Sequence, residues 1–456
     1  MKKKLLFSSM LLVTGLLLGA NVAWAGTDTP ILTFKATVGN EVSLTFGVWD
    51  TEDEYSVDFG DGTLQTAKVG VNNAGPVDPE TGQTTGVTVF TGTVAGDGTI
   101  KVYGNNDVWY LLVSGGAMPT LDQAKLLNVV QMSITGADVE SITLPAYPKM
   151  TQFSFNNSPV KNLDVSKVAT LTSLTVDNTT QSQYAPQLES IDLSANTELN
   201  YLKIVGNATN KGKLSAIDLS KNTKLANVYL QDNAIKTVAM PSGAALSFLN
   251  LQNNELASID LSVCESNKDV YLNNNKLKSA TLGTVTKSCK LEDNELTLAT
   301  IPAQPAGLNT SSKTKKFTYA PQAAMPVDES VSELDLSSQL AVAEGELDPA
   351  DYATYLTATT TYSLVTASGT ALVEGTDYEV TEPGKFKFLK EQSEKVHAEM
   401  LNAALPKFTA TAPFKTTEFT VAPGESASTP ILTLTATVGN EVSLDRKSTR
   451  LNSSHP

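Results

Sequence analysis

The motif Leu-x-Leu-x-x-Asn-x-Leu returns along the middle of the chain at a period of about 21 residues, which leaves few folds open. Aligned on the Asn position, the copies fall at Gly116, Ala137, Ser158, Thr179, Asn207, Asn233, Asn254, Asn275 and Asn294. Successive steps are 21, 21, 21, 28, 26, 21, 21 and 19 residues. A unit of this length is one turn of a coil whose apolar side cannot be buried alone, so the copies must stack. The pattern predicts a solenoid over residues 99–301, and solenoids present extended binding surfaces.

Within each copy the Leu-x-Leu pair (Val228 and Leu230, Leu249 and Leu251, Val270 and Leu272) is expected to form a short strand with both side chains turned inward. The Asn column (Asn207, Asn233, Asn254, Asn275, Asn294) is expected to be structural, its amides bonding backbone at the bend, where buried peptide groups need partners. Leu/Ile-Asp-Leu/Val-Ser follows in several copies, at Asp164, Asp192, Asp218 and Asp260. Recurrence once per coil points to backbone bonding along one edge rather than to catalysis.

Asp218 to Ile235 reads DLSKNTKLANVYLQDNAI. It resembles the leucine-rich repeats of Bacteroides-group surface proteins, D-L-S-x-N-T-x-L-x-x-L-x-L-x-x-N-x-L, with Ile in place of the last Leu. The resemblance covers about 190 residues; the earliest copies depart from it, with Gly, Ala, Ser or Thr at the Asn position. It implies a mainly β fold, a leucine-rich repeat solenoid of about nine 21-residue coils flanked by β-sandwich modules. It also implies an extracellular binding or adhesion protein of the internalin-like and BspA-like kind.

The flanks carry their own signals. Residues 1–25 join a basic Lys2-Lys3-Lys4 start, a mostly apolar run from Leu5 to Ala20 and Ala23-Trp24-Ala25, the layout of a secretory signal peptide. After its cleavage no membrane insertion is expected. Residues 26–98 read as an all-β module, with Ile31 to Val38, Tyr55 to Phe59 and Val87 to Val94 as strands. Asp58-Phe59-Gly60-Asp61-Gly62-Thr63 is a hairpin signal that also resembles the turn of PKD-type β-sandwich modules. Asp50, Glu52, Asp53 and Glu54 lie nearby, but the spacing matches no EF-hand loop and a solvated turn is expected.

Residues 302–326 lose the pattern and carry Pro302, Pro305, Pro321 and Pro326, as a linker does. Residues 327–422 read as an Ig- or fibronectin-like sandwich with strands at Tyr362 to Val365, Tyr378 to Val380, Lys385 to Leu389, Phe408 to Thr411 and Glu418 to Val421. A short helix over Glu391 to Ala404 is the alternative to further strand. Residues 423–444 open a second copy of the N-terminal module, since Thr429 to Leu444 matches Thr29 to Leu44 at 14 of 16 positions. Residues 445–456 resemble a translated sequencing-library adapter and hold the chain's only arginines, Arg446 and Arg450. The expectation is that this tail is artefactual and that natural sequence continues beyond it.

Residues 26–444 keep 27 of the 33 basic and 47 of the 48 acidic residues, a net charge of −20 that argues against nucleic acid as a partner. Cys264 and Cys289 are too few for a disulfide framework, and Cys289 reads as a buried thiol on a repeat strand. His397 is the sole histidine between signal and tail, so no His-clustered zinc site can be assembled. No nucleophile-elbow, zinc-protease or phosphate-loop motif is present. No catalytic residue, metal or cofactor is expected.

The positive signal is on the concave strand face. Residues flanking the Leu-x-Leu pair form the columns Tyr201/Asn227/Phe248/Asp269, Lys203/Tyr229/Asn250/Tyr271/Lys290 and Val205/Gln231/Gln252/Asn273/Glu292. With strands about 4.8 Å apart, Tyr201, Tyr229, Phe248 and Tyr271 are expected to form one patch. The expected contact residues are Tyr201, Lys203, Tyr229, Gln231, Phe248, Asn250, Tyr271 and Asn273. Earlier copies place Ser133, Ser154 and Thr175 there. Aromatics with a polar rim suit a protein hot spot; the amides also suit a glycan, and aromatics are good β-formers without any ligand. Extra residues at Thr180 to Gln187 and Ala208 to Gly212 leave the coil beside the strand bearing Tyr201.

Overall fold

Side chains alternate between the two faces of a strand, and in each coil the apolar pair takes one face while its neighbours take the other. A computed structural model describes residues 29–48, 53–68, 86–105, 107–115, 121–122, 126–136, 139–179, 187–207, 209–297, 299–302, 305–308, 316–319, 321–340, 360–402 and 414–422. It places Met132/Ile134, Phe153/Phe155, Leu174/Val176, Leu202/Ile204 and Val228/Leu230 in one stacked core, none more than 1% exposed. The chain divides into two units, Met1–Glu255 with Val263–Asn267 and Leu256–Ser262 with Lys268–Pro456.

In the first unit the strands Val108–Ser114, Gln131–Thr135, Gln152–Asn156, Ser173–Asp177, Tyr201–Val205, Asn227–Tyr229 and Ala245–Asn250 pair side by side, all parallel. Each coil re-enters the sheet in the same direction, which is why the pairing is parallel. Shorter parallel pairs line the opposite side, Ser141–Thr143 with Asn162–Asp164 and Ala216–Asp218 with Thr237–Ala239. The fold is mainly β, and its repeats form a leucine-rich repeat solenoid.

A sandwich precedes the coils. One sheet runs Leu64–Lys68, Glu54–Asp58, Thr99–Tyr103, Leu32–Lys35 and Leu121–Asp122, antiparallel throughout. The other joins Gly86–Thr93 to Glu41–Val48 and then to Val108–Ser114. Val108–Ser114 therefore pairs antiparallel with the module and parallel with the first coil. A boundary between residues 98 and 99 does not hold: Thr99–Tyr103 is a module strand, with Ile100 and Val102 fully buried. Two alternating apolar residues look alike in sandwich and coil, so the period alone misplaces the border. The Asp58 turn is a hairpin, as its sequence predicts, with the carboxylate accepting from the Gly60 and Gly62 N–H groups at 2.8 and 3.0 Å.

Two devices turn the backbone out of the repeat strands. The residue just before the Asn position has a left-handed backbone: Gly115, Gly136, Asn157, Asp232, Asn253, Asn274 and Asp293 have φ between 51° and 80°. Gly, Asn and Asp adopt that conformation at least cost. Next comes the ladder amide. Asn254 donates to the carbonyls of Leu230 and Leu251, both at 2.9 Å, and accepts from the Ile235 N–H at 3.1 Å. Asn233 donates to Ile204 and Leu230, Asn275 to Leu272, and Asn294 to Leu272 and Leu291. Asn207 differs: its oxygen accepts from the Thr209 and Asn210 N–H groups, and so it organises the enlarged loop. In the coil aligned on Thr179 the buried amide is Asn178, one residue early, bonded both ways to the Ser158 backbone.

In the second unit the strand Ser266–Tyr271, most of which lies there, is followed by Val285–Lys290 and by Lys316–Thr318, the last two parallel. The expected linker thus supplies a further coil. Phe317 and Tyr319 stand as its buried pair, and Gln322 takes the ladder position, donating to the Leu291 carbonyl at 2.8 Å and accepting from the Leu296 N–H. Gln for Asn and the intervening prolines conceal this coil from the motif. Beyond it, one sheet holds Glu333–Asp335, Lys385–Phe388 and Tyr378–Glu382, and another Thr360–Thr366, Val396–Asn402 and Phe414–Lys415. Tyr362 meets Phe386 edge to face at 5.3 Å between them.

The stretch weighed as a helix contains the strand Val396–Asn402, because Val396, Ala398 and Met400 alternate inward at period two. The expected strand Phe408 to Thr411 lies outside the described residues, as do the signal sequence, the second module copy and the tail. Among the described residues no helix is long and apolar enough to cross a membrane.

Two substitutions separate the devices at the bend. Asn254→Ala strands two buried carbonyls and an amide N–H and is expected to cost about 3 kcal/mol. Asn274→Val, forced into a left-handed conformation, is expected to cost about 1–2 kcal/mol while Asn274→Gly is nearly neutral. Urea unfolding followed by circular dichroism reads both.

Candidate functional site

The register of the parallel strands decides which side chains meet on the open face. Tyr201 is paired with Asn227 and Asn227 with Phe248, while Lys203 is paired with Tyr229 and Tyr229 with Asn250. These are the columns expected from the motif. The rings meet diagonally between columns: Tyr201 and Tyr229 have centroids 5.5 Å apart at 39°, and Tyr229 and Phe248 are stacked at 4.8 Å and 28°. All three are half-buried. The three rings thus form one continuous run, with Tyr229 in the middle. Burial raises the Tyr201 phenol above its ordinary value, so it stays protonated.

Beside the rings, the Lys203 ammonium is ion-paired with Asp177 one strand earlier, and both side chains are largely covered. Burial pushes the Asp177 carboxyl up, but bonds from Lys203 and from the Thr179 N–H and hydroxyl outweigh it and hold the group below its ordinary value. The sequence columns gave Asp177 no role, since it lies on the far side of the 28-residue step.

Two positions, Asn250 and Val205, depart from expectation. Asn250 is only 7% exposed, and its amide oxygen accepts from the Gln252 N–H at 3.1 Å, so it braces the bend rather than facing a ligand. Val205, expected to face outward, is buried where the enlarged coil turns away. Gln231 is half-buried, with its side-chain oxygen lacking a hydrogen-bond partner among the described residues.

In the second unit Tyr271 is half-buried, with the Lys290 ammonium 4.1 Å from its ring centre. Asn273 is half-buried next to it along the strand path, and its side-chain oxygen lacks a hydrogen-bond partner among the described residues. Asp269 is paired with Lys287 at 2.7 Å, which raises the lysine above its ordinary value.

The Asp series is spent on turns. The carboxylates of Asp164, Asp192, Asp218 and Asp260 each accept from the N–H of the Ser two residues on, at 2.8–3.0 Å. Those bonds hold all four below the ordinary carboxylate value. A second amide ladder lies outside the Leu-x-Leu-x-x-Asn-x-Leu motif. Asn196, fully buried, donates to Val165 and Val168, and Asn222, also fully buried, to Leu193 and Asn196. Its signal was present in the Asn-Thr that follows Asp-Leu-Ser in both copies. Cys264 and Cys289 are buried thiols not joined in a disulfide, and burial pushes the Cys289 thiol well up. His397 lies 3.4 Å from Glu399, which is itself paired with Lys415.

No protein-family model and no curated protein matches the chain. Among solved structures it is similar to the leucine-rich repeat domain of APL1B, with 18% identity and a TM-score of 0.27 over 38% of this chain and 58% of that one. The chain thus spans little more than half of that domain. It is also similar to the functional domain of InlJ from Listeria monocytogenes, described as including a cysteine ladder. There the identity is 15% and the TM-score 0.25, over 72% of this chain and 94% of that one.

The Asp177–Lys203 pair generates a pH prediction. A carboxyl held below its ordinary value of 3.8 adds stability above that pH and loses it as the pH falls through the folded value. Asp177→Asn is therefore expected to melt below wild type at neutral pH, with the gap closing in acid. Melting curves across pH 2–7 check it.

Proposed function

We propose that this is a secreted or cell-surface binding protein, without catalytic activity, that engages a protein partner through the concave strand face of its repeats. The observation that carries this is the Tyr201–Tyr229–Phe248 run, three large rings left half-buried on an otherwise polar face. Clustered aromatics with a polar rim are the commonest anchors of protein interfaces. Tyr201, Lys203, Tyr229, Gln231 and Phe248 are proposed contacts in the first unit, and Tyr271 and Asn273 in the second. Export is supported by the basic start and apolar run of residues 1–25.

Glycan binding is the second reading. It is favoured by the hydroxyl column Ser133, Ser154 and Thr175, which continues the register of Lys203 and Tyr229. The clustering of the rings weighs against it: only the middle ring, Tyr229, has a ring neighbour on each side, and contiguous stacked aromatics suit a protein anchor.

Capture from host and bacterial surface extracts on the immobilised full chain tests the proposal. A Tyr229→Ala/Phe248→Ala/Tyr271→Ala variant with an unchanged circular dichroism spectrum is expected to bind the captured protein at least about 30-fold more weakly, as loss of a hot spot requires. Equal capture by both would remove the aromatic face from the interface, and hits on a glycan array would favour the second reading.

A further inference from the structure

The aromatic run stops at Tyr201, and the manner of its stopping is informative. Going backward along the sheet, the Tyr201 column continues to Ser173 and Gln152, and the Lys203 column to Thr175 and Ser154. Tyr229 lies on one side of Tyr201, 5.5 Å away. On the other side, among the described residues, no ring or cation stands over it. Ser173 and Thr175 are too short to cover a phenyl ring. Successive strands rise about 4.8 Å, close to the spacing of stacked rings, so the stack is one ring short above Ser173.

The border of this position selects its occupant. An ammonium has three donors. Asp177 occupies one of those on Lys203, which stands two residues along the strand from Tyr201 on the same face and has two N–H groups left. The Asp177 oxygens are engaged, one by Lys203 and the other by the Thr179 N–H and hydroxyl. A guanidinium arriving here would have to displace Lys203 to find a carboxylate. A bare anion would gain the lysine but not the ring. A neutral aromatic side chain with a rim oxygen uses both, and it leaves the charge balance of the ion pair intact.

The geometry points to the outer face of Tyr201, floored by Ser173 and Thr175 and edged by Lys203, as an anchor subsite for a tyrosine side chain of the protein partner. This rests on the proposal that the strand face binds protein, and it names the group recognised there.

The probe is N-acetyl-L-tyrosinamide, titrated into the full chain labelled with 3-fluorotyrosine, with the Tyr201 fluorine signal assigned from Tyr201→Phe. A saturable shift of that signal is expected, with N-acetyl-L-phenylalaninamide about tenfold weaker through loss of a charge-assisted hydrogen bond. Lys203→Met should erase the preference for tyrosine without abolishing the shift. Ser173→Trp, which supplies the missing ring from the chain itself, should abolish it; Ser173→Phe serves if the Trp variant does not fold. No saturable shift, an unchanged shift in the plugged variant, or an equal response to N-acetyl-argininamide or methyl glucoside would overturn the assignment. Partner capture separates the two levels. Capture kept by the plugged variant but lost on removing Tyr229 and Phe248 rejects the subsite alone, while capture kept by both rejects the face.

Discussion

A chain that coils once per 21 residues or so must bend inside its own packed stack, where peptide groups have lost their strand partners and water cannot replace them. Leaving such groups unpaired costs about as much as several ordinary contacts contribute. The chain meets this with two devices, a left-handed Gly, Asn or Asp at most bends and, from Asn233 to Asn294, an adjacent amide that bonds backbone carbonyls at the bend. With the bends fixed, the strands cannot slip against one another. Straight columns such as Ser133, Ser154, Thr175, Lys203, Tyr229 and Asn250 follow directly. The aromatic run exists because the register is exact enough to bring rings from separate coils together.

Much of this was legible because period is a geometric quantity. Spacing alone gave the inward pairs, the columns and the Asn ladder from Asn233 to Asn294. What stayed hidden had substitutes or lay off the period. Gln322 does an asparagine's work from a longer side chain, and Asn178 does it from one position early. Gly115, Gly136 and Asn157 show that the left-handed site persists where the ladder Asn is missing, a column invisible when only the Asn position is aligned. Asn250 looked like a surface amide because alternation places it outward, yet neighbouring side chains cover it. Strand polarity says which way a residue points, not how much stands over it.

The face is also quieter electrically than the chain that bears it. The net charge of residues 26–444 is −20, but Asp177 and Asp269 are each matched to a lysine. The conspicuous Asp series belongs to exposed turns at the opposite edge of the coil. Charge that keeps a protein soluble weakens an interface when it sits at its centre, and pairing of these two carboxylates lowers it on the proposed binding face.

The strand Val108–Ser114, antiparallel to the sandwich and parallel to the first coil, has a consequence for how such a molecule comes into being. In a one-dimensional stack the costly event is the first turn, because it has no neighbour on which to lay down its backbone. Here the sandwich offers a finished edge as template, and coils can be added outward from it as layers on a seed. A cut placed between the sandwich and the repeats would divide one sheet in two, and each half would be left with an open strand edge.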